Sequence, residues 1–107
     1  MTNISSFRMT RKMAEKAIRE IAADDEKVIF STHALERMTQ RGINPKDVAD
    51  ILLKGNVTTD PVKGKRGGWE CNVTKNVRAN RDATAVTAIY DAKNYIIIIT
   101  VMWEDLK

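Results

Sequence analysis

The chain has 107 residues, with 18 Lys+Arg against 14 Asp+Glu, one His and one Cys, for a formal charge of +4. That length holds one small domain, residues 1–107, and a composition of 43% hydrophobic and 30% charged residues excludes a disordered chain. The single Cys71 excludes an internal disulfide framework, and with the single His33 it cannot supply the soft ligands of a zinc site, so no metal and no cofactor are expected.

Met1 to Arg8 lacks the apolar centre of a signal peptide and reads as a flexible leader, while the longest apolar run, Ile96 to Ile99, is far too short to cross a bilayer. A cytoplasmic protein that avoids membranes is the expectation. From Met9 to Ala23 the residues Met9, Met13, Ala17, Ile18 and Ile21 recur at helical spacing, predicting an amphipathic helix ended by Asp24-Asp25-Glu26. After the short apolar stretch Lys27 to Phe30, Ser31 or Thr32 stands where an N-cap would open a second helix. It runs to about Gln40 or Arg41, stops at Gly42, and turns Ala34, Leu35 and Met38 to the core. Asn44-Pro45-Lys46-Asp47 predicts a third helix, with a capping Asn, Pro at the first position and an acid at the third. It ends at Lys54-Gly55, where the glycine could take a positive φ.

Beyond Gly55 the period changes to two, and strands are expected at Asn56 to Val62, from Trp69 through Thr74, at Thr84 to Tyr90 and at Tyr95 to Trp103. These predict an α+β domain: helices packed on a curved antiparallel sheet of about four strands, joined as a meander. Four consecutive isoleucines make the last strand read as buried on both faces, hence central in the sheet.

The charge is unevenly placed. Residues 1–26 carry five basic and five acidic groups and residues 27–60 five and four, but residues 61–81 carry six basic groups against the single acid Glu70. Lys63, Lys65, Arg66, Lys75, Arg78 and Arg81, with Trp69 beside them, are the residues a phosphate backbone would meet. A solvated hairpin whose lysines protect its edge from other chains is the alternative reading.

The segment with most chemistry is Ser31 to Ile43. On a helix, His33, Arg37 and Arg41 fall at i, i+4 and i+8 along one stripe. Imidazole at a helix start meets the positive end of the dipole, which favours the neutral form that can serve as a general base. Guanidiniums one and two turns along suit a phosphate that changes charge during phosphodiester cleavage. The alternative is a capping or packing His33 beside a solvated arginine stripe. Cys71, with no acid or second His aimed at it, reads as a small core residue.

The run His33-Ala34-Leu35-Glu36-Arg37-Met38-Thr39-Gln40-Arg41-Gly42-Ile43, the helix opened by Asn44-Pro45-Lys46-Asp47-Val48 and the terminal Ile-Ile-Thr-Val strand resemble the small bacterial and phage proteins of domain-of-unknown-function family forty-two fifty-eight, over about Phe30 to Trp103. The resemblance implies a fold like that of RelE-type and barnase-type toxins. Such proteins are metal-independent ribonucleases, often neutralised by a cognate antitoxin or immunity protein. The site it implies is His33, Arg37 and Arg41 with Thr100 on the last strand, where related folds place a hydroxyl facing the scissile phosphate. Thr100 is also the one polar residue between Ile96 and Met102, although a β-branched residue suits any strand. A leaving-group acid would have to be Lys65, Arg66, Arg78, Arg81 or water. An RNA-binding or RNA-cleaving toxin-like domain is therefore expected, and a non-enzymatic binding module, such as a phage or mobile-element inhibitor, is the competing class.

Overall fold

The computed structural model of the chain describes residues 7–78 and 80–105. Of the expected flexible leader, residues 1–6 lie outside the described residues; Phe7 sets its ring edge against Trp69, with centroids 5.9 Å apart. Three helices, α1 (Arg11–Ala22), α2 (Thr32–Arg41) and α3 (Pro45–Lys54), accompany six strands. The strands are β1 (Val28–Phe30), β2 (Asn56–Val57), β3 (Val62–Lys63), β4 (Trp69–Arg78), β5 (Arg81–Tyr90) and β6 (Tyr95–Trp103), with a 3-10 turn at Asp25–Lys27. They form one open sheet in the order β1-β6-β5-β4-β2, with β3 also paired to β4.

Local signals set the helix ends. Thr10 Oγ1 accepts from the Met13 amide at 3.1 Å to cap α1, and Ser31 Oγ accepts from the Ala34 amide at 3.0 Å to cap α2. Asn44 and Asp47 exchange side-chain-to-backbone hydrogen bonds of 2.8 and 3.0 Å, the reciprocal box that opens α3. Gly42 takes φ +67° and closes α2, as its position after the last apolar residue implies. Gly55 does not take a positive φ: its backbone is extended, and the glycine serves a close approach instead, because a Cβ there would lie 2.9 Å from the Thr74 carbonyl oxygen. Met13 and Leu35, read as core-facing, are 41% and 51% exposed; Ala14, Ala22, Ala34 and Met38 take the buried positions.

The sheet has six strands where about four were expected, and it is not purely antiparallel. Lys27 to Phe30 contributes β1, an edge strand that runs parallel to β6 from Val28 opposite Ile96 to Phe30 opposite Ile98. Asn56 to Val62 is not one strand. It breaks into β2 and β3 around Thr58–Pro61, and both pair with β4 at different points, Asn56 opposite Thr74 and Val62 opposite Glu70. Proline at 61 offers no amide to continue a ladder.

Strand β6 is central, but it is buried on one face only. Ile96, Ile98, Val101 and Trp103 are buried under the helices with Cys71, Val73, Ala83, Ala85 and Ile89, whereas Ile97, Ile99, Thr100 and Met102 are half-buried on the other side. A bulge explains the spacing of three between Ile98 and Val101. Thr87 pairs with Ile98 and Val86 with Thr100, so Ile99 is the extra residue, and both Ile99 and Thr100 turn to the uncovered face. Helices α1 and α3 pack on the other face, and α2 lies against β6 at the edge of that layer. The opposite side of the sheet is left without a covering helix.

Gly55→Ala is expected to lower stability by about 1–3 kcal/mol, because the added methyl must displace backbone rather than a mobile side chain. Urea denaturation reads this as a lower midpoint at unchanged slope.

Candidate nucleic-acid interface

Helix α2 lies along the part of the β6 edge that the short β1 leaves unpaired. The Ser31 amide donates to the Ile98 carbonyl at 3.1 Å and its Oγ donates to the Ile99 carbonyl at 3.0 Å. At the far end, Arg41 Nη1 donates to the Val101 carbonyl at 2.7 Å, and Trp103 Nε1 donates back to the Arg41 carbonyl at 2.6 Å. Arg41 is thus committed to holding helix and strand together. Arg37, one turn earlier and half-buried, donates to Gln40 Oε1 at 2.8 Å. His33 sits exposed in the first turn of α2, with no hydrogen-bond partner among the described residues. Thr100 lies on the strand between the two carbonyls that anchor α2, facing the uncovered side, and no hydrogen bond joins it to His33, Arg37 or Arg41 among the described residues. Because its hydroxyl is half-exposed, it needs no internal partner.

A cleft of about 570 Å³ opens on the bare face at the end of the sheet where β4 begins. Ala88, Ile97 and Ile99 make its apolar floor, Ser31 bounds one side, and the loop bearing Lys63, Lys65 and Arg66 bounds the other. The loop is tight: the Gly64 amide donates to the Gly68 carbonyl at 2.8 Å, and Gly67 takes φ +91°. Its base is held by an aromatic stack. A Cβ on Gly68 would meet the Tyr90 ring at 2.7 Å, and Tyr90 in turn stacks on Tyr95, with centroids 4.9 Å apart and planes 22° from parallel. Lys63 Nζ lies 5.0 Å from the centre of the Trp69 ring.

The six sequence-predicted cations divide between the two ends of the sheet. Lys75 pairs with Asp50 at 2.9 Å and Arg78 with Asp47 at 3.0 Å, while Arg81 holds Asp105 in a double hydrogen bond of 2.9 and 3.0 Å. The Arg81 guanidinium also lies 4.0 Å from the centre of the Trp103 ring, and its hydrogen bond holds the Asp105 carboxyl below its ordinary range. Among the described residues, Lys63, Lys65 and Arg66 have no carboxylate partner within 4 Å; Lys63 turns with Trp69 to the other side of the hairpin, and Lys65 and Arg66 leave positive potential at the cleft.

Three residues of this cleft were not singled out as site residues from the sequence. Ser31 was read only as a cap, Tyr90 only as the end of a strand, and Glu70 only as one opposing charge. The alternation of Trp69, Cys71 and Val73 with Glu70, Asn72 and Thr74 was the available signal, since it puts Glu70 on the face away from the core.

Cys71 is buried on the helix side, away from the cleft, and burial pushes its thiol up to about 11. A raised pKa means that the folded protein holds this proton more tightly than the unfolded chain, so the contribution is present below pH 9 and is lost as pH rises from about 9 to about 11. In denaturant titrations over that range, wild type should lose stability more steeply than Cys71→Ala. An equal slope for the two proteins would contradict the burial argument.

No match was found among curated proteins or among solved structures. A family model does match, over residues 30–103, from the last residue of β1 to the last of β6. It takes in α2, α3 and every strand that forms the cleft, and leaves α1 outside. On that match the chain belongs to the family described as a domain of unknown function, DUF4258.

Proposed function

We propose that this protein binds RNA through the phosphodiester backbone, in the cleft on the uncovered face of the sheet. The observation that carries the reading is the division of the cations: those at the far end are neutralised by Asp47, Asp50 and Asp105, whereas Lys65 and Arg66 border a concave site without carboxylate partners among the described residues. Unpaired cations around a groove give salt-sensitive affinity for a polyanion.

Cleavage without a metal is the reaction this set of residues suits, in the manner of the toxins the sequence resembles. His33 stands exposed two residues beyond Ser31, in the first turn of the helix that the serine caps. In that role it takes the proton from a ribose 2′-hydroxyl, the 2′-oxygen bonds to phosphorus, and the bond to the 5′-oxygen breaks. The products are a 2′,3′-cyclic phosphate and a 5′-hydroxyl that takes its proton from a cationic side chain or water. Lys65 and Arg66 would stabilise the charge gathering on the phosphate, with Arg37 and Thr100 alongside. A cognate antitoxin or immunity protein would act by covering this face.

The reversals Lys65→Glu and Arg66→Glu together should weaken binding of single-stranded RNA at least tenfold and reduce the slope of log affinity against log salt by about one to two. Lys75→Glu, at the neutralised end, should change affinity little. Equal losses at both ends would contradict the assignment to the cleft. For the reaction, His33→Ala should abolish EDTA-resistant cleavage while leaving the melting temperature within a few degrees. A wild-type protein that binds RNA and cuts none, with or without ribosomes, would make this a binding module.

A further inference from the structure

Glu70 presents a problem for any site that binds phosphate. It lines the cleft beside Lys65 and Arg66, yet among the described residues it forms no ion pair with either of them within 4 Å. It faces the open side of the sheet opposite Ala88, with its carboxylate end beside the Gly64 backbone: a Cβ there would lie 2.9 Å from Glu70 Cδ and closer still to Oε2. A carboxylate repels a phosphate, so beside the phosphate-binding loop it can favour only a part of the ligand that donates hydrogen bonds.

We infer that Glu70 selects the nucleobase, and that the base selected is guanine. The inference rests on the RNA reading above. A carboxylate has two acceptor oxygens side by side and no donor, so the complementary edge carries two adjacent N–H groups. Guanine offers these at N1 and N2. Adenine and cytosine each place a ring nitrogen acceptor next to their amino group, and uracil flanks its one N–H with two carbonyls, so each would set a lone pair against the carboxylate. The surroundings fit a base lying flat. Ala88, Ile97 and Ile99 provide an apolar floor beside the carboxylate, and Lys65 and Arg66 line the same cleft and would meet the attached phosphate. Since the edge used is the one that pairs in a duplex, the guanine must be unpaired, and the substrate is single-stranded RNA.

The test is fluorescence anisotropy with labelled, uncleavable 2′-O-methyl pentanucleotides of sequence UUXUU, where X is G, A, C, U or inosine. Wild type should bind the G oligonucleotide about tenfold more tightly than the A, C or U forms. Inosine, which lacks the N2 amino group, should lose most of that preference. Glu70→Gln should bind the G, A, C and U forms alike, with affinity for the all-uridine form unchanged or raised because a repelling charge is gone. The inosine arm uses only wild-type protein and does not depend on any variant folding. If wild type binds all five equally while Lys65→Glu/Arg66→Glu abolishes binding, the role of Glu70 is overturned and the RNA reading stands. If wild type binds none of them, or the charge reversal changes nothing, the RNA reading itself falls and takes this inference with it.

Discussion

Strand β6 has to be hydrogen-bonded on both edges, and β1 can serve it for only three residues. Along one edge β5 pairs with it from Tyr95 to Trp103; along the other, β1 covers only Ile96 to Ile98. An unpaired edge in the middle of a fold would strand buried carbonyls. Helix α2 resolves this with side chains: Ser31 takes the Ile99 carbonyl, Arg41 takes the Val101 carbonyl, and Trp103 returns a bond to Arg41. One consequence is positional. Capping the helix with the same serine that touches β6 fixes the first turn of α2, which carries His33, against that strand. Another is chemical, since Arg41 becomes a structural clamp and leaves less of its donor capacity for a ligand.

The bare face follows from helices that cover one side only. Burying Ile96, Ile98, Val101 and Trp103 under three helices leaves Ile97, Ile99 and Met102 half-buried opposite. Alternation alone puts Ile97 and Ile99 on the floor of the cleft; the bulge keeps Thr100 outward as well, where strict alternation would have sent it inward, and returns Val101 to the core. Electrostatics then distinguish the two ends of the sheet. Asp47, Asp50 and Asp105 come from the start and middle of α3 and from beyond β6 to neutralise three cations, and the loop between β3 and β4 keeps its charge.

What was legible in the sequence was what neighbouring residues decide among themselves. Ser31, Gly42 and the Asn44/Asp47 pair specify helix ends through bonds within a turn, and each acts as its spacing implies. The misplaced residues depended on distant partners. Leu35 fits a helical apolar face, but α2 rides along a sheet edge, so less of its surface is covered. Three-residue β1 is too short to show a period, and it is a strand because β6 offers it an edge. The cluster of six cations in 61–81 is real in sequence, but the acids that neutralise half of it lie in other segments, where a count by segment cannot see them. Lys65 and Arg66, which line the cleft, were among the cations the sequence singled out. That Glu70 stands among them unpaired follows only from the fold of the loop.

The claim on which the rest depends is that RNA occupies the cleft on the bare sheet face. Amide chemical shifts of the isotope-labelled protein, followed while single-stranded RNA is added, test it residue by residue. The account predicts that the shifts concentrate at Ser31, Gly64, Lys65, Arg66, Glu70, Ile97 and Ile99. Shifts confined to the exposed lysines of α1, Lys12 and Lys16, or to the neutralised end around Lys75 and Arg78, would contradict it.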